Sequence, residues 1–253
     1  MSRIPERQEP AARPPAPLRP DGAALFLDLD GTIAPIAHQP DAVLPDARRT
    51  RLLKALSRAL DGRLAVISGR SIADIDRILD GAVTAAAGVH GLERRSSDGA
   101  VWRAEPSPAL DAAREAFAPM VRAWPGMALE DKGIGLSVHY RAAPAAHDAV
   151  RTAAERLTAS GDLVLQWGRM VADLRPPGPD KGDAMDAFMG EAPFAGATPI
   201  FVGDDLTDEH GFAAAKAAGG YGVLVGAARP TAASAFLADV DAALDWLSTA
   251  VRG

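Results

Sequence analysis

The sequence predicts an α/β fold, a parallel sheet interrupted by an inserted α+β unit. Short apolar runs at 24–27, 63–67, 83–89, 198–202 and 221–225 alternate with stretches of helical periodicity, the rhythm of a sheet buried on both faces. Three of these five runs end in polar clusters rather than plain turns. Between 109 and 174 the order becomes helix, strand, strand, and repeats once. That repeat predicts a four-stranded antiparallel sheet with two helices on one face.

Taken in order, the run 24–27 leads into Asp28-Leu29-Asp30-Gly31-Thr32. Residues 44–60 set Leu52, Leu53, Leu56 and Leu60 on one helical face, with Pro45 near the first turn and Asp61-Gly62 as the stop. The run 63–67 ends at Ser68-Gly69-Arg70, after which Ser71 and Asp74 have capping-box spacing for a helix that stops at Gly81. The run 83–89 ends at His90-Gly91, and residues 93–99 read as a hairpin tip. Helices are expected over 109–123 and 144–160, and strands over 127–130, 134–140, 163–167 and 170–174. A Pro-rich stretch at 176–179 closes the insert. A helix over 180–189 then opens with Lys181-Gly182, and the run 198–202 enters Gly203-Asp204-Asp205-Leu206-Thr207-Asp208-Glu209. Further helices are expected over 209–218 and 231–250, the last with Phe236, Leu237, Val240, Leu244 and Leu247 on its apolar face. The expected division is a disordered Pro/Arg-rich tail over 1–21, an α/β core over 22–107 and 178–253, and an inserted α+β cap domain over 108–177.

Composition narrows the class. The chain has 253 residues, 48% hydrophobic and 24% charged, which is ordinary for a globular protein with a substantial core. A formal charge of -6 argues against nucleic acid or an anionic membrane as the main partner. No run approaches the roughly 20 apolar residues of a membrane helix, and the amino-terminal segment lacks the apolar stretch of a secretory signal. The absence of cysteine removes thiolate chemistry and fits a reducing compartment, so a cytoplasmic location is expected.

The polar clusters carry the chemistry. In a doubly wound sheet Asp28/Asp30, Ser68-Gly69-Arg70, Asp204/Asp205/Asp208 and Lys181 converge on one edge, beyond the strand carboxyl ends. So many carboxylates repel one another unless a cation lies between them, and oxygen-only donors favour Mg²⁺ over zinc or copper. The Ser68 hydroxyl, the Lys181 ammonium and nearby backbone N–H groups suit a phosphate. Each residue alone also has a plain structural role: Asp and Gly reverse a chain, Asp204 and Asp205 cap a helix, and a lone lysine sits on a surface.

Asp28-Leu29-Asp30-Gly31-Thr32, Ser68, Lys181 and Gly203-Asp204-Asp205 resemble the four motifs of the haloacid dehalogenase (HAD) superfamily in number, order and type. The resemblance spans nearly the whole chain after the tail and implies a Rossmann-like core carrying a cap. It implies that Asp28 is the nucleophile, forming an aspartyl-phosphate, and that Asp30 protonates the leaving alcohol and then activates water. Mg²⁺ would be held by Asp28, the Asp30 carbonyl and Asp204, with Asp205 beside them and Thr32 and Asp208 in support. Ser68 and Lys181 would hold the phosphoryl group. An Asp at position 30 points to phosphatase or phosphomutase chemistry, since the ion-pumping ATPases of the superfamily carry Thr there.

The cap hairpin, 130–141, gathers Glu130, Lys132, His139 and Arg141, a set able to hydrogen-bond many sugar hydroxyls or to be merely solvated. It resembles the cap signature of trehalose-6-phosphate phosphatases, as do residues 28–36, 68–70, 90–91 and 203–209. That resemblance places Glu130 and Lys132 on the disaccharide, has His139 and Arg141 shape the hairpin or touch substrate, and adds Gly69, Arg70, His90, Gly91 and Asp173 as substrate contacts. Two positions depart from the pattern: Ala142 stands where Asn is usual, and Asp173 where Glu is common. The implied activity is Mg²⁺-dependent hydrolysis of trehalose 6-phosphate in trehalose biosynthesis. The expected enzyme is monomeric and touches the trehalose-phosphate synthase only transiently. Alternatives are a capped phosphatase for sucrose 6-phosphate or mannosyl-3-phosphoglycerate, and a non-catalytic sugar-phosphate binding module.

Overall fold

A computed structural model of the chain describes residues 13–37, 42–168 and 170–251. Its main sheet has eight strands in the order β12-β11-β10-β1-β2-β3-β4-β5. β1 (Ala23–Leu27), β2 (Leu64–Ile67), β3 (Ala85–Gly88), β10 (Thr198–Gly203), β11 (Tyr221–Val225) and β12 (Ala235–Leu237) run parallel. β4 (Glu93–Arg95) and β5 (Val101–Arg103) add an antiparallel hairpin at one edge.

β1 lies at the centre, with all five residues buried. Successive side chains enter opposite layers, which is why this strand is apolar throughout rather than alternating. Leu25 and Leu27 join α1 (Ala47–Ala59), α2 (Ile72–Leu79) and α7 (Val240–Ser248) on one face. Ala24 and Phe26 meet α5 (Lys181–Met189) and α6 (Glu209–Ala217) on the other. Side-chain acceptors cap the starts of α1, α2 and α5: Asp46 takes the Arg49 N–H, Ser71 the Asp74 N–H, and Asp180 and Asp183 form a reciprocal box at the head of α5. That box sets Lys181 as the first residue of its helix.

The inserted unit is a four-stranded antiparallel sheet in the order β6-β7-β9-β8. Its strands are β6 (Ala128–Asp131), β7 (Leu136–His139), β8 (Val164–Gly168) and β9 (Val171–Arg175), with α3 (Ala109–Ala123) and α4 (His147–Thr158) packed on one face. Leu136, Val138, Ala172 and Leu174 close this second core against Leu110, Phe117 and Val150. The face opposite the helices carries the alternate positions, and these look onto the main sheet's carboxyl edge.

Three expectations need correction. The single helix over 231–250 is a strand followed by a helix. Ala235 and Leu237 enter one core layer and Phe236 the other, the period of a strand, and Asp239 then caps α7 through the Ala242 N–H. The five core strands become eight because β4 takes the first three residues of the expected tip over 93–99, β5 follows it, and β12 is added. The tail over 1–21 is also shorter than expected. Residues 1–12 lie outside the described residues, while 13–20 follow the core: Trp246 Nε1 donates to Ala16 O at 2.7 Å, Leu18 N to Thr249 Oγ1 at 2.9 Å, and Leu18 is buried.

Candidate active site

Every strand whose end was singled out delivers its cluster to one cleft. Asp28 leaves β1 with its N–H held by Val202 O at 2.9 Å, so it emerges beside the end of β10. Its carboxylate is buried: Oδ1 accepts from Lys181 Nζ at 2.7 Å and Oδ2 from Thr32 Oγ1 at 3.3 Å. The same ammonium donates to Asp208 Oδ1 at 2.6 Å. Asp208 Oδ2 accepts the Asp204 and Asp205 N–H groups at 2.9 Å each, so this fully buried carboxylate shapes the turn between β10 and α6. Gly31, at φ +85°, lies under Asp204; a Cβ there would fall 2.1 Å from Asp204 Oδ2, so no larger residue fits.

The donor set suits a hard divalent cation. One carboxylate oxygen from each of Asp28, Asp204 and Asp208 lies within 4.8 Å of the others, and Asp204 Oδ1 is buried with no hydrogen-bond partner. Burial, helped by the charge of Asp208 and opposed by Lys181, pushes the Asp28 carboxyl well above the usual range. Burial and the neighbouring Asp28 charge push Asp204 up as well. Two acids forced toward their neutral forms at one spot mark a place where positive charge is short. Asp205 lines the cleft too, with its own Oδ1 capping the Leu206 N–H at 2.7 Å.

Asp30 does not lie free in the cleft. Both its oxygens are held by Arg70, Oδ2 by Nε at 2.5 Å and Oδ1 by Nη2 at 2.8 Å. Ser68 is buried at the end of β2, and its Oγ accepts the Arg70 N–H at 3.2 Å. Gly69 passes under His90, whose ring a Cβ would meet at 2.7 Å.

The cap supplies the opposite wall. Glu130, Ser137, Asp173 and Gln166 are cross-strand partners in one row over β6, β7, β9 and β8. Lys132 Nζ reaches into this row, donating to Ser137 Oγ at 2.6 Å, with Asp173 at 3.6 Å and Glu130 at 3.9 Å. Ser137 donates to Asp173 Oδ1, and His139 Nε2 pairs with Glu130 Oε2 at 2.7 Å. Contacts that join cap to core include Lys132 Nζ to Gly69 O at 2.8 Å, His90 Nε2 to Asp173 Oδ2 at 3.3 Å, Arg141 Nη1 to Ala37 O, and Ile134 packed with Val89 and Leu92. Burial alone would raise the Asp173 carboxyl, but the Lys132 ammonium and the His90 and Ser137 hydrogen bonds hold it well below the usual range. Glu130 is lowered too, its burial outweighed by the His139 hydrogen bond and by Lys132. For His90 burial wins and keeps the ring neutral-leaning despite Asp173.

Of the expected site residues, Asp28, Asp30, Ser68, Gly69, Arg70, His90, Glu130, Lys132, His139, Arg141, Asp173, Lys181, Asp204 and Asp205 all line one cavity. Thr32 and Asp208 lie behind the lining, Thr32 bonded to Asp28 and Asp208 to Lys181, Asp204 and Asp205. Gly91, expected at substrate, is not among the lining residues. Its φ of +109° and missing side chain let the Asp180 carbonyl approach, so a Cβ would stand 2.8 Å from that oxygen. Ser137 also lines the cavity without a motif to mark it; its sequence signal is its place two residues before His139, on the same strand face.

A carboxylate-lined strand edge under an inserted α+β cap is the architecture of capped HAD-superfamily phosphatases. A phosphatase of the HAD superfamily, from Bacteroides thetaiotaomicron, shares the fold with a TM-score of 0.58 at 18% identity, over 88% of this chain and 92% of that one. A crystal structure described as a trehalose-6-phosphate phosphatase related protein aligns with a TM-score of 0.75 at 26% identity, over 89% of this chain and 95% of its own. The trehalose-6-phosphate phosphatase of Escherichia coli (strain K12) is 42% identical over 228 residues, 88% of this chain and 85% of that protein. The family model described as trehalose-phosphatase matches residues 26–241. The chain belongs to the trehalose-phosphatase family.

Proposed function

We propose that the protein hydrolyses trehalose 6-phosphate to trehalose and phosphate. One observation carries this: the core's Asp28, Ser68 and Lys181 and the cap's Glu130, Lys132 and Asp173 line the same cleft. The first group suits a phosphoryl group and the second a polyhydroxylated leaving group.

An Asp28 oxygen forms a bond to phosphorus while the bond from phosphorus to the sugar O6 breaks, leaving an aspartyl-phosphate. Asp30 gives its proton to O6, then takes one from the water that attacks phosphorus and frees Asp28. In the structure Arg70 holds both oxygens of the Asp30 carboxylate, so the Asp30 side chain leaves this fork to meet O6 and then the water. Lys181 opposes the negative charge of the phosphoryl oxygens, and the Ser68 hydroxyl donates a hydrogen bond to one of them. Asp28, Asp204 and the Asp30 carbonyl, with Asp205 beside them, would hold Mg²⁺, which supplies charge neutralisation at the phosphoryl group. The cap row hydrogen-bonds sugar hydroxyls, and Lys132, His90 and Arg141 draw cap and core together over the substrate. In this reading the reaction completes trehalose synthesis in the cytoplasm, by a monomer that meets the synthase only transiently.

The metal assignment has a pH signature. Asp28 and Asp204 keep protons in the folded protein that the unfolded chain has released above about pH 4. The metal-free protein is therefore expected to lose stability as pH rises from that point through the raised native values. Mg²⁺ requires the ionised acids and displaces those protons. Scanning calorimetry should show millimolar Mg²⁺ raising the melting temperature more at about pH 8 than at about pH 5.5. A shift that is equal at both, or absent, contradicts the site.

The substrate is tested by phosphate release from trehalose 6-phosphate, sucrose 6-phosphate, mannosyl-3-phosphoglycerate and glucose 6-phosphate. Trehalose 6-phosphate is expected to lead by at least about a hundredfold in kcat/KM, the discrimination of a site built to hydrogen-bond hydroxyls.

A further inference from the structure

Glu209 ends the acidic motif 203–209, yet its side chain turns away from the other carboxylates. It is saturated by the loop between β11 and β12: Oε1 accepts from Thr231 Oγ1 at 2.8 Å and from Arg229 Nη1, and Oε2 from the Ala232 N–H at 2.7 Å. Arg229 carries the connection onward. Its Nη1 also reaches Pro230 O at 3.3 Å, and its Nη2 donates to the backbone carbonyl of Asp205 at 2.7 Å.

The turn 204–206 is thus gripped from two sides. Within, Asp208 Oδ2 takes the N–H groups of Asp204 and Asp205. Outside, the Arg229 guanidinium holds the Asp205 carbonyl while anchored on Glu209. Between these grips Asp204 keeps one buried oxygen without a hydrogen-bond partner, and one of its carboxylate oxygens lies within 4.8 Å of Asp28 and Asp208. Mg²⁺ tolerates little departure from octahedral geometry at short distances, so a loop carboxylate that binds it needs a fixed backbone.

We propose that Arg229 and Glu209 are positioning residues for cation binding, clamping the β11–β12 loop onto the turn that carries Asp204 and Asp205. This rests on the reading of the Asp28–Asp204 cluster as a Mg²⁺ site. The competing role for the pair is a partly exposed ion pair that only staples a loop. Side-chain exposures of 21% and 25% would then make its contribution small and unrelated to metal.

Mg²⁺ titrated calorimetrically into wild type and Arg229→Ala, without substrate, separates the two roles. The dissociation constant is expected to rise about 10- to 100-fold in the variant, the usual effect of losing an outer-sphere partner. The metal-free melting temperature should stay within a few degrees of wild type. Arg229→Lys should recover part of the affinity, because an ammonium can reach the carbonyl without the planar fork that spans both partners. Arg229→Lys also answers the question if the alanine variant folds poorly. Wild-type Mg²⁺ affinity in folded Arg229→Ala, or in Arg229→Lys where only that folds, overturns the clamp. A wild type that takes up no Mg²⁺ overturns the metal-site reading beneath it, and the clamp with it.

Discussion

Asp28→Asn is expected to abolish phosphate release from trehalose 6-phosphate, a loss of at least about a thousandfold in kcat, while the protein stays folded. An amide of the same shape cannot form the bond to phosphorus, and removal of a nucleophile is among the costliest single changes an enzyme undergoes. Stability should move the other way or not at all. Asp28 is buried with its ionised form disfavoured, so a neutral isostere relieves a cost. Lys181 keeps Asp208 as its partner. The informative result is therefore the pair of measurements, turnover and metal-free melting temperature, on one preparation. Activity lost with stability retained assigns chemistry to Asp28; near-wild-type turnover removes it from that role.

Lys181→Ala is expected to damage both properties. Its ammonium is buried between Asp28 and Asp208 at 2.7 and 2.6 Å, and its removal leaves two buried carboxylates without a counter-charge. Breaking a buried pair in this way costs about 3–5 kcal/mol. In a chain of this size that corresponds to a melting temperature on the order of 10 °C lower. Acid should restore part of the loss, because protonating Asp28, whose ionised form burial already disfavours, removes the repulsion that Lys181 otherwise balances. Turnover should fall by about 10²–10³-fold, as expected when a group opposing developing phosphoryl charge is lost. Thermal unfolding at neutral and mildly acidic pH, beside steady-state kinetics, checks all three. A variant as stable as wild type at neutral pH would mean that Asp28 and Asp208 do not depend on Lys181.

The legible parts of the sequence were those with a local physical signature. The run 24–27 could only be a two-face-buried strand, and the carboxylates after it fell at a sheet edge because strand polarity places them there. Ser71 and the repeat of helix-strand-strand units were equally local, and the cap sheet formed with them. What stayed hidden was set by distant partners. β12 is three residues long and depends on β11 for pairing, so its apolar residues merged with the next helix's pattern. Residues 13–20 looked like a free tail because their anchors, Trp246 and Thr249, lie at the far end of the chain.

The site divides along the same line. Carboxylates and lysine were found by type and spacing, but what each one touches was not. Asp30 locked in the Arg70 fork, Gly91 against the Asp180 carbonyl and Ser137 within the Lys132–Asp173 network are all products of tertiary contact. The two departures in the cap, Ala142 and Asp173, also separate here. Asp173 keeps its place in the polar row despite a shorter side chain, reaching Ser137 and His90. Ala142 is not among the residues lining the cleft; its carbonyl faces Gly126, where a Cβ would stand at 2.7 Å.

The central claim is that one cleft joins phosphoryl chemistry from the core to sugar recognition from the cap. Its most direct test is kcat/KM of the wild-type protein, with Mg²⁺ present, on trehalose 6-phosphate beside the three other sugar phosphates. The expected result is rapid hydrolysis of trehalose 6-phosphate and at least about a hundredfold less of each competitor. Equal rates on all four, or a clear preference for another of them, would contradict it.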